Sequence, residues 1–598
     1  MLDTKLFVLY CNLYWLIYYS ILYVLGGYSM HVSSINSFSA VPKIGFSRTL
    51  SSNYTTPVIP QQPNADTVSF KSRFNPVKLD VTLEKAIAVG KSLSTSTSGH
   101  RAEYLSPNFT KDVVKLITIG VAHTALLNTA MDVPGYNEHY VLIGGDTRRA
   151  TRESLPLIKD TLLRNDVNVL EIKDPVPTPL LALAARELNA DLGVLMTASH
   201  NPWADGGYNI VTNNGAIAPA SVTSEIAHNM ELYMKSEPKI EKAVPDKEVI
   251  EIDPFDMYVG ELDRNGLINW DKIKDSGLVV YYDGLQGTGE YTVPRLLKEK
   301  GIEFVQVKSK GQDGPNPTDN NLGMLKDEVA KSKNALRIGL ANDGDADRFG
   351  VVDENGNFIN ANDVILLTGY HLAKNKGRTG AVIRSQATSM QLDRLADIYG
   401  LKKFETPVGF KYIAEEIEEL RRNGEDILVA GEESGGLTVN GHIPEKDGIM
   451  AISLMMDLVA TEGKPISEIL ADVKESLGVA FSINNFSKKY KENPEKMDLV
   501  MKRVEAMYED AMTGFVDFGE SHKIDAAKTA EARAKMEAQR KGGDGYKFIL
   551  TDGSTVLLRK SGTEPLVKCY IEATGETAQA AKENSAALAK EMDAFMTV

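Results

Sequence analysis

Leu192-Gly193-Val194-Leu195-Met196 runs directly into Thr197-Ala198-Ser199-His200-Asn201-Pro202. A short apolar run followed by a polar turn reads as a buried strand that ends at a functional loop. The same grammar recurs along the chain. Tyr140–Gly145 is an apolar run entering a glycine turn, Ser154–Arg164 has the spacing of an amphipathic helix, and Val167–Ile172 reads as the next strand. Gly277–Tyr282 leads into Asp283-Gly284, and Leu336–Leu340 leads into Asp343-Gly344-Asp345-Ala346-Asp347-Arg348. Ala381–Ile383 and Ile427–Ala430 lead into further loops. This alternation, starting near Val81 and continuing to the end, predicts an α/β chain whose sites lie at the carboxyl ends of strands.

Two of these loops carry chemistry. A serine hydroxyl can carry a phosphoryl group, and Asn201-Pro202 would keep a following helix from starting early. In an extended loop, positions 343, 345 and 347 point the same way, so three carboxylates converge. They repel one another unless a cation sits among them. An EF-hand loop is a poor alternative: its sixth position is Arg348 rather than glycine, and a strand precedes it. A haloacid-type phosphatase would want a hydroxyl two residues after the second aspartate, where Asp347 stands. Serine and triad together predict phosphoryl transfer through a phosphoserine.

Two more loops suit a sugar phosphate. Gly431-Glu432-Glu433-Ser434-Gly435-Gly436 offers carboxylates and a hydroxyl on flexible backbone, which fits sugar hydroxyls. In Arg559-Lys560-Ser561-Gly562-Thr563-Glu564-Pro565, the arginine can grip a phosphate, hydroxyls and backbone N–H groups can form an anion nest, and Lys568 adds charge. The four loops are 144, 89 and 127 residues apart, about one domain each.

Bulk properties agree. The 598 residues suffice for roughly four domains. A hydrophobic fraction of 43% supports large cores, and a net charge of −15 argues against a nucleic-acid partner. Two cysteines, Cys11 and Cys569, exclude a disulfide framework or a cysteine metal site. Polar linkers are expected near 235–253, 374–379 and 488–496, and an exposed helix over Lys523–Lys541.

Residues 1–65 differ from the rest. Leu6–Gly27 has no charged residue over 22 positions, and no acidic residue occurs between Asp3 and Asp66. An apolar run followed by a Ser-rich, acid-poor tract reads as a signal peptide followed by a transit peptide. Ser37-Phe38-Ser39-Ala40-Val41-Pro42 is similar to the cleavage motif of secondary-plastid leaders. The expectation is an organelle, the plastid first, with a membrane anchor or a cytoplasmic protein starting at Met30 as alternatives.

From about Thr97 to Glu572 the chain resembles the α-D-phosphohexomutases, the phosphoglucomutase and phosphomannomutase superfamily. Thr97-Ser98-Gly99-His100-Arg101 looks like the family's opening motif, whose arginine lies in the active site. Gly144-Gly145-Asp146-Thr147-Arg148 looks like its Gly-x-Asp-x-Arg loop. Thr406-Pro407-Val408-Gly409-Phe410-Lys411 is similar to a substrate-contacting segment.

The resemblance implies a heart-shaped, four-domain fold: three related α/β/α domains and a smaller C-terminal α+β domain. With the leader at 1–65, the expected domains are 66–262, 263–375, 376–490 and 491–598. It implies a catalytic set of Ser199, His200, Arg101 and Arg148. Mg2+ is expected on Ser199, Asp343, Asp345 and Asp347. Substrate contacts are expected from Arg348, Thr406, Gly409, Lys411, Glu432, Ser434 and Gly435. Phosphate binding falls to Arg559, Ser561, Gly562, Thr563 and Lys568. The implied reaction interconverts hexose 1- and 6-phosphates, with hexose 1,6-bisphosphate as intermediate and activator. The implied partner is the phosphorylated hexose, and the oligomeric state is left open.

One position departs from the pattern. The family carries lysine ten residues after the serine; here it is Asn209, which cannot act as a base near neutral pH. No lysine lies nearby in the sequence, so His200 and then Arg101 are the next groups to consider, His200 first because imidazole titrates near working pH. Gly436 stands where mannose- and glucosamine-directed relatives often carry histidine, which favours glucose over phosphomannomutase or phosphoglucosamine mutase activity. Asn209 and the leader also suggest a weakly active or non-catalytic sugar-phosphate binder, a reading that intact Ser199 and the intact triad oppose.

Overall fold

The structure is a computed structural model, and it describes residues 79–95, 99–127, 138–236, 247–311, 314–491, 493–514, 517–518, 522–538, 545–561 and 565–597. The chain divides into two units, Met1–Asp66 and Thr67–Val598, and all described residues belong to the second. The leader expected over 1–65 lies outside them, as do Thr97, Ser98, Gly562, Thr563 and Glu564.

The first sheet holds β1 (His100–Glu103), β2 (Tyr140–Gly145), β3 (Asn168–Glu171), β4 (Leu192–Met196), β5 (Asp205–Thr212) and β6 (Val249–Glu251), in the order β1-β5-β4-β2-β3-β6. Its centre is parallel, β4-β2-β3-β6, while β5 runs antiparallel to β4. The second sheet contains β7 (Val279–Asp283), β8 (Phe304–Val307), β9 (Arg337–Asn342), β10 (Phe349–Val352) and β11 (Phe358–Ile359), ordered β11-β10-β9-β7-β8. The third comprises β12 (Ala381–Ser385), β13 (Lys403–Thr406), β14 (Ile427–Glu432) and β15 (Gly436–Val439), ordered β13-β12-β14-β15.

These three sheets share one device. A buried strand with a parallel neighbour turns sharply and returns as an antiparallel strand: β4 to β5, β9 to β10, and β14 to β15. The serine, aspartate and glutamate loops are those three turns. The expectation of a helix after the serine loop is therefore corrected: an eight-residue strand comes next. Helices cover both faces, as parallel strands buried on both sides require.

The fourth sheet is antiparallel throughout, with β16 (Ala480–Ile483), β17 (Phe486–Lys489), β18 (Gly545–Ile549), β19 (Thr555–Lys560) and β20 (Leu566–Gly575). β19 and β20, which flank the phosphate loop in sequence, pair antiparallel. Lys488 and Lys489, expected in a linker, belong to β17. The expected helix over 523–541 is Ala526–Ala538, with Thr529 buried against the sheet.

One apolar cluster runs through the first three domains, from Leu181 through Val280 to Leu428. Its axis is the helix Gly448–Glu462, apolar on every side and buried along most of its length, as a helix inside a large core must be. The fourth domain has a core of its own around Phe548, Val567 and Leu588. It joins the third through a polar seam: Glu572 accepts from Met390 N at 2.7 Å and from Ser389, while Lys547 pairs with Glu405.

Candidate active site

Ser199 is almost wholly buried and has φ of +51°, the left-handed region that non-glycine residues avoid at a cost of about 1–2 kcal/mol. Its neighbours impose that shape. Asp146, at the end of β2, accepts from Thr197 Oγ1 at 2.7 Å, and Thr197 Oγ1 accepts from Ser199 N at 2.8 Å. Arg148 donates to Asp146 Oδ2 at 2.9 Å, to the carbonyls of Ser199 and Pro202 at 2.5 Å and to that of Asn201 at 2.7 Å. Arg148, expected in the catalytic set, here spends its donors on Asp146 and on three backbone carbonyls, an arrangement that positions the serine loop. Gly207 lets β5 pass close behind, because a Cβ there would overlap the Thr197 carbonyl.

The aspartate loop reaches the same point from the second domain. Asp343–Arg348 is a compact turn with Ala346 at φ +54°, so the three carboxylates converge through the turn and not by extended alternation. Ser199 Oγ donates to Asp343 Oδ2 at 2.7 Å, and Asp343 Oδ1 accepts from Arg348 N at 3.0 Å. Thr178 Oγ1 donates to Asp345 Oδ2 at 2.9 Å, and Lys446 Nζ lies 2.9 Å from Asp347 Oδ2.

Among the described residues the Oδ1 atoms of Asp345 and Asp347 are buried without a hydrogen bond, Arg348 Nε lying 3.9 Å from that of Asp347, and one oxygen from each aspartate lies within 4.8 Å of the others. Burial, then repulsion from Asp347, pushes the carboxyls of Asp343 and Asp345 up. Unpaired carboxylate oxygens that crowd together suit a hard divalent cation, so the residues fit such an ion.

Cations ring the serine. Arg101, on β1, donates to Ala198 O at 3.3 Å, while its buried Nε has no partner. Burial lowers the Arg101 guanidinium, and the Asp345 carboxylate opposes that shift. His200 Nδ1 is 3.3 Å from Ser199 Oγ. Burial, then the charges of Arg348, Arg101, Arg148 and Lys568, pushes this imidazole down to about 2. His200 is therefore neutral here and does not titrate near working pH, contrary to the sequence expectation. Asn209 faces the loop from β5: its Nδ2 donates to Thr197 O at 2.9 Å, and its buried Oδ1 has no partner.

In the third domain, Gly409 N donates to Glu432 Oε1 at 2.7 Å. Burial, then Glu433, pushes the Glu432 carboxyl up to about 7. Glu433 accepts from Ser385 and Thr388, and Ser434 is exposed. Gly435 O accepts from Phe349 N at 3.1 Å, which ties the sugar loop to the strand leaving the aspartate loop. Thr406 is fully buried with its hydroxyl turned onto Pro407 O, so its expected substrate contact is corrected to a structural one. Lys411 is partly exposed and reaches the first domain beside Gly99 and Ile210.

In the fourth domain, Arg559 and Lys568 are direct cross-strand partners on β19 and β20. Like charges in that relation are unfavourable unless an anion joins them. Ser561 N donates to Leu566 O at 3.0 Å, closing the turn. Tyr570 lies on the same face as Lys568, beside Glu433 and Arg559, and its phenol is pushed up to about 12, chiefly by burial. Sequence reasoning missed Lys446 and Thr178, whose relation to the site exists only across domains, and Tyr570, which follows Lys568 by two residues on β20.

Comparison with known proteins agrees with this geometry. Four descriptions match in order: phosphoglucomutase/phosphomannomutase alpha/beta/alpha domain I over 92–237, domain II over 256–356, domain III over 360–476 and the C-terminal domain over 520–590. A phosphoglucomutase/phosphomannomutase of Thermococcus kodakarensis is 28% identical over 497 residues, covering 82% of this chain and 96% of that protein. A phosphoglucosamine mutase of Novosphingobium aromaticivorans is 30% identical over 346 residues, covering 56% and 73%. Among solved structures, the Paramecium phosphoglucomutase pp63/parafusin in its open form superposes with a TM-score of 0.66 at 21% identity, covering 83% of this chain and 94% of that one. The chain belongs to the α-D-phosphohexomutase superfamily, the phosphoglucomutase/phosphomannomutase family of intramolecular phosphotransferases.

Proposed function

We propose that this chain interconverts hexose 1-phosphates and hexose 6-phosphates, with glucose as the hexose, through phosphorylated Ser199. The observation that carries the reading is the 2.7 Å bond from the Ser199 hydroxyl to Asp343 in a buried carboxylate triad, beneath Arg101 and Arg348. The P–Oγ bond of phosphorylated Ser199 breaks as a free hydroxyl of the hexose phosphate forms its own bond to phosphorus, and that hydroxyl's proton ends on Ser199 Oγ, which then donates to Asp343. The resulting 1,6-bisphosphate turns in the cleft, and its other phosphate returns to Oγ.

A divalent cation held by Asp343, Asp345, Asp347 and the phosphoserine, Mg2+ in this reading, would neutralise charge on the transferring group. Arg148 and Asn209 hold the serine loop still, Arg348 steadies the transferred phosphoryl, and Arg559 with Lys568 takes the phosphate that is not reacting. Glu432, close to half-protonated at neutral pH, can both give and accept hydrogen bonds with sugar hydroxyls.

Glucose rests on Gly436 alone, since the relatives' names divide between glucosamine and glucose or mannose. A coupled assay comparing glucose, mannose and glucosamine 1-phosphates, primed with the matching bisphosphate, tests the reading. Preference for either of the other two sugars overturns the choice of hexose; turnover of none of them overturns the mutase. Residues 1–65 we read as a leader for an organelle, the plastid, on composition.

A further inference from the structure

We propose that Lys446 is a positioning residue that sets how tightly the aspartate triad holds its divalent cation; this rests on reading the triad as a divalent-cation site. Lys446 comes from the third domain, 99 residues beyond Asp347. Its side chain is 11% exposed, with Nζ 2.9 Å from Asp347 Oδ2, 2.7 Å from Glu445 Oε1 and 5.2 Å from the centre of the Phe410 ring.

The backbone on either side is fixed. Asp447 caps the helix Gly448–Glu462 with two 2.8 Å bonds and accepts from the Tyr258 hydroxyl and His442 Nε2 at 2.7 Å each. Gly448 N donates to Ala346 O at 3.2 Å, inside the aspartate loop itself. The methylenes of Lys446 cross Gly436, where a Cβ would overlap Cδ and lie 2.7 Å from Cγ. The fold therefore delivers this ammonium to one carboxylate oxygen of Asp347, while the other, Oδ1, accepts no hydrogen bond among the described residues and has Arg348 Nε 3.9 Å away.

A fixed positive charge at this place has two effects. It offsets part of the repulsion among three buried carboxylates when the cation is away, so the loop keeps its shape. It also opposes the cation's own charge, at a range where partial burial weakens screening. Lys446 therefore lowers divalent affinity and keeps the ion exchangeable. Losing the ammonium also frees Asp347 to change rotamer, but that ordering effect is the smaller of the two.

The test is Mn2+ binding, followed by the electron paramagnetic resonance signal of free Mn2+, on the full chain with Ser199 unphosphorylated by intact mass. Lys446→Met keeps the stem and removes the charge; it should tighten the Kd on the order of tenfold or more. Gly436→Ala, which displaces the stem from the sugar loop without touching the triad, should shift affinity the same way, and Lys446→Arg should stay near wild type. Thermal melts in EDTA and in Mn2+ supply a second readout: the Mn2+-induced rise in Tm should be larger for Lys446→Met than for wild type. Unchanged or weaker Mn2+ binding in Lys446→Met overturns the inference while leaving the triad as a cation site. If wild type binds no Mn2+, or Asp345→Asn binds as well as wild type, the reading of the triad falls, and this inference with it.

Discussion

Asn209 Nδ2 donates to the Thr197 carbonyl at 2.9 Å, so the residue in the family's lysine position pins the serine loop from behind. An amide there holds geometry but takes no proton. General acid–base catalysis contributes about 10²- to 10⁴-fold where it operates. Asn209→Lys, with a longer chain leaving the same strand toward the loop, is expected to raise kcat more than it changes KM. Steady-state kinetics with glucose 1-phosphate check this. A slower variant would show that the carbonyl pin matters more than the amine.

Ser199 is the hydroxyl that meets the triad. Ser199→Ala should reduce bisphosphate-primed turnover to background. Intact-mass analysis of active wild-type protein should show one phosphate, mapped to Ser199. A phosphate on another residue, or undiminished activity of the alanine variant, removes the proposed mechanism.

Arg148 and Asp146 have side chains only 1% exposed. Removing the guanidinium leaves the buried Asp146 carboxylate with neutral donors alone, from Thr151, Thr197 and a backbone N–H, and takes a charged donor from three backbone carbonyls, of which Pro202 O keeps Asp205 N. Arg148→Met is expected to cost about 3–5 kcal/mol of stability, the range for breaking a buried pair. Denaturant unfolding measures it, and a loss under about 1 kcal/mol, the size of an ordinary surface change, would refute the scaffold role.

Glu432 has a carboxyl raised from its ordinary 4.5 to about 7, by burial and then by Glu433, against the opposing charges of Lys446 and Arg348. A raised acid binds more protons folded than unfolded, so stability falls as pH rises between these two values. Glu432→Gln, which keeps the acceptor for Gly409 N, should match wild type below pH 4.5 and exceed it above about pH 7. Melting curves across that window test the sign; parallel pH profiles for the two proteins would contradict it.

The division of the chain at Asp66 and the composition of the preceding residues lead to the same expectation. A truncation beginning at Asp66 should be soluble and as active as the full chain. Aggregation of the truncated protein alone would make residues 1–65 part of the fold.

Much of the site was legible because loop chemistry is local. The bounds read for Leu192–Met196 coincide with β4, since an apolar run bounded by aspartate and threonine leaves little choice. The strand after the serine loop was not legible: Asp205–Thr212 carries two glycines and an asparagine, and its strand state comes from lying between β4 and β1. An arginine in a conspicuous motif says nothing about where its donors go, and those of Arg148 reach Asp146 and the serine loop. Thr406 misled for the same reason. From sequence alone His200 reads as an ordinary imidazole; burial together with the gathering of Arg348, Arg101, Arg148 and Lys568 around it lowers its affinity for a proton.

The class of chemistry is legible in residue order, because a serine, an aspartate triad and a basic turn each need only a few consecutive residues. So is the α/β alternation, because hydrophobic period follows from backbone geometry. Tertiary structure alone decided which groups act and which support. Asp343 meets Ser199 across 144 residues, and Lys446 meets Asp347 because Gly436 has no side chain in its path. Charge, burial and hydrogen-bond partners are properties of the space around a side chain. Here that space is built by three hairpin turns from three domains, with Lys568 of the fourth adding its charge.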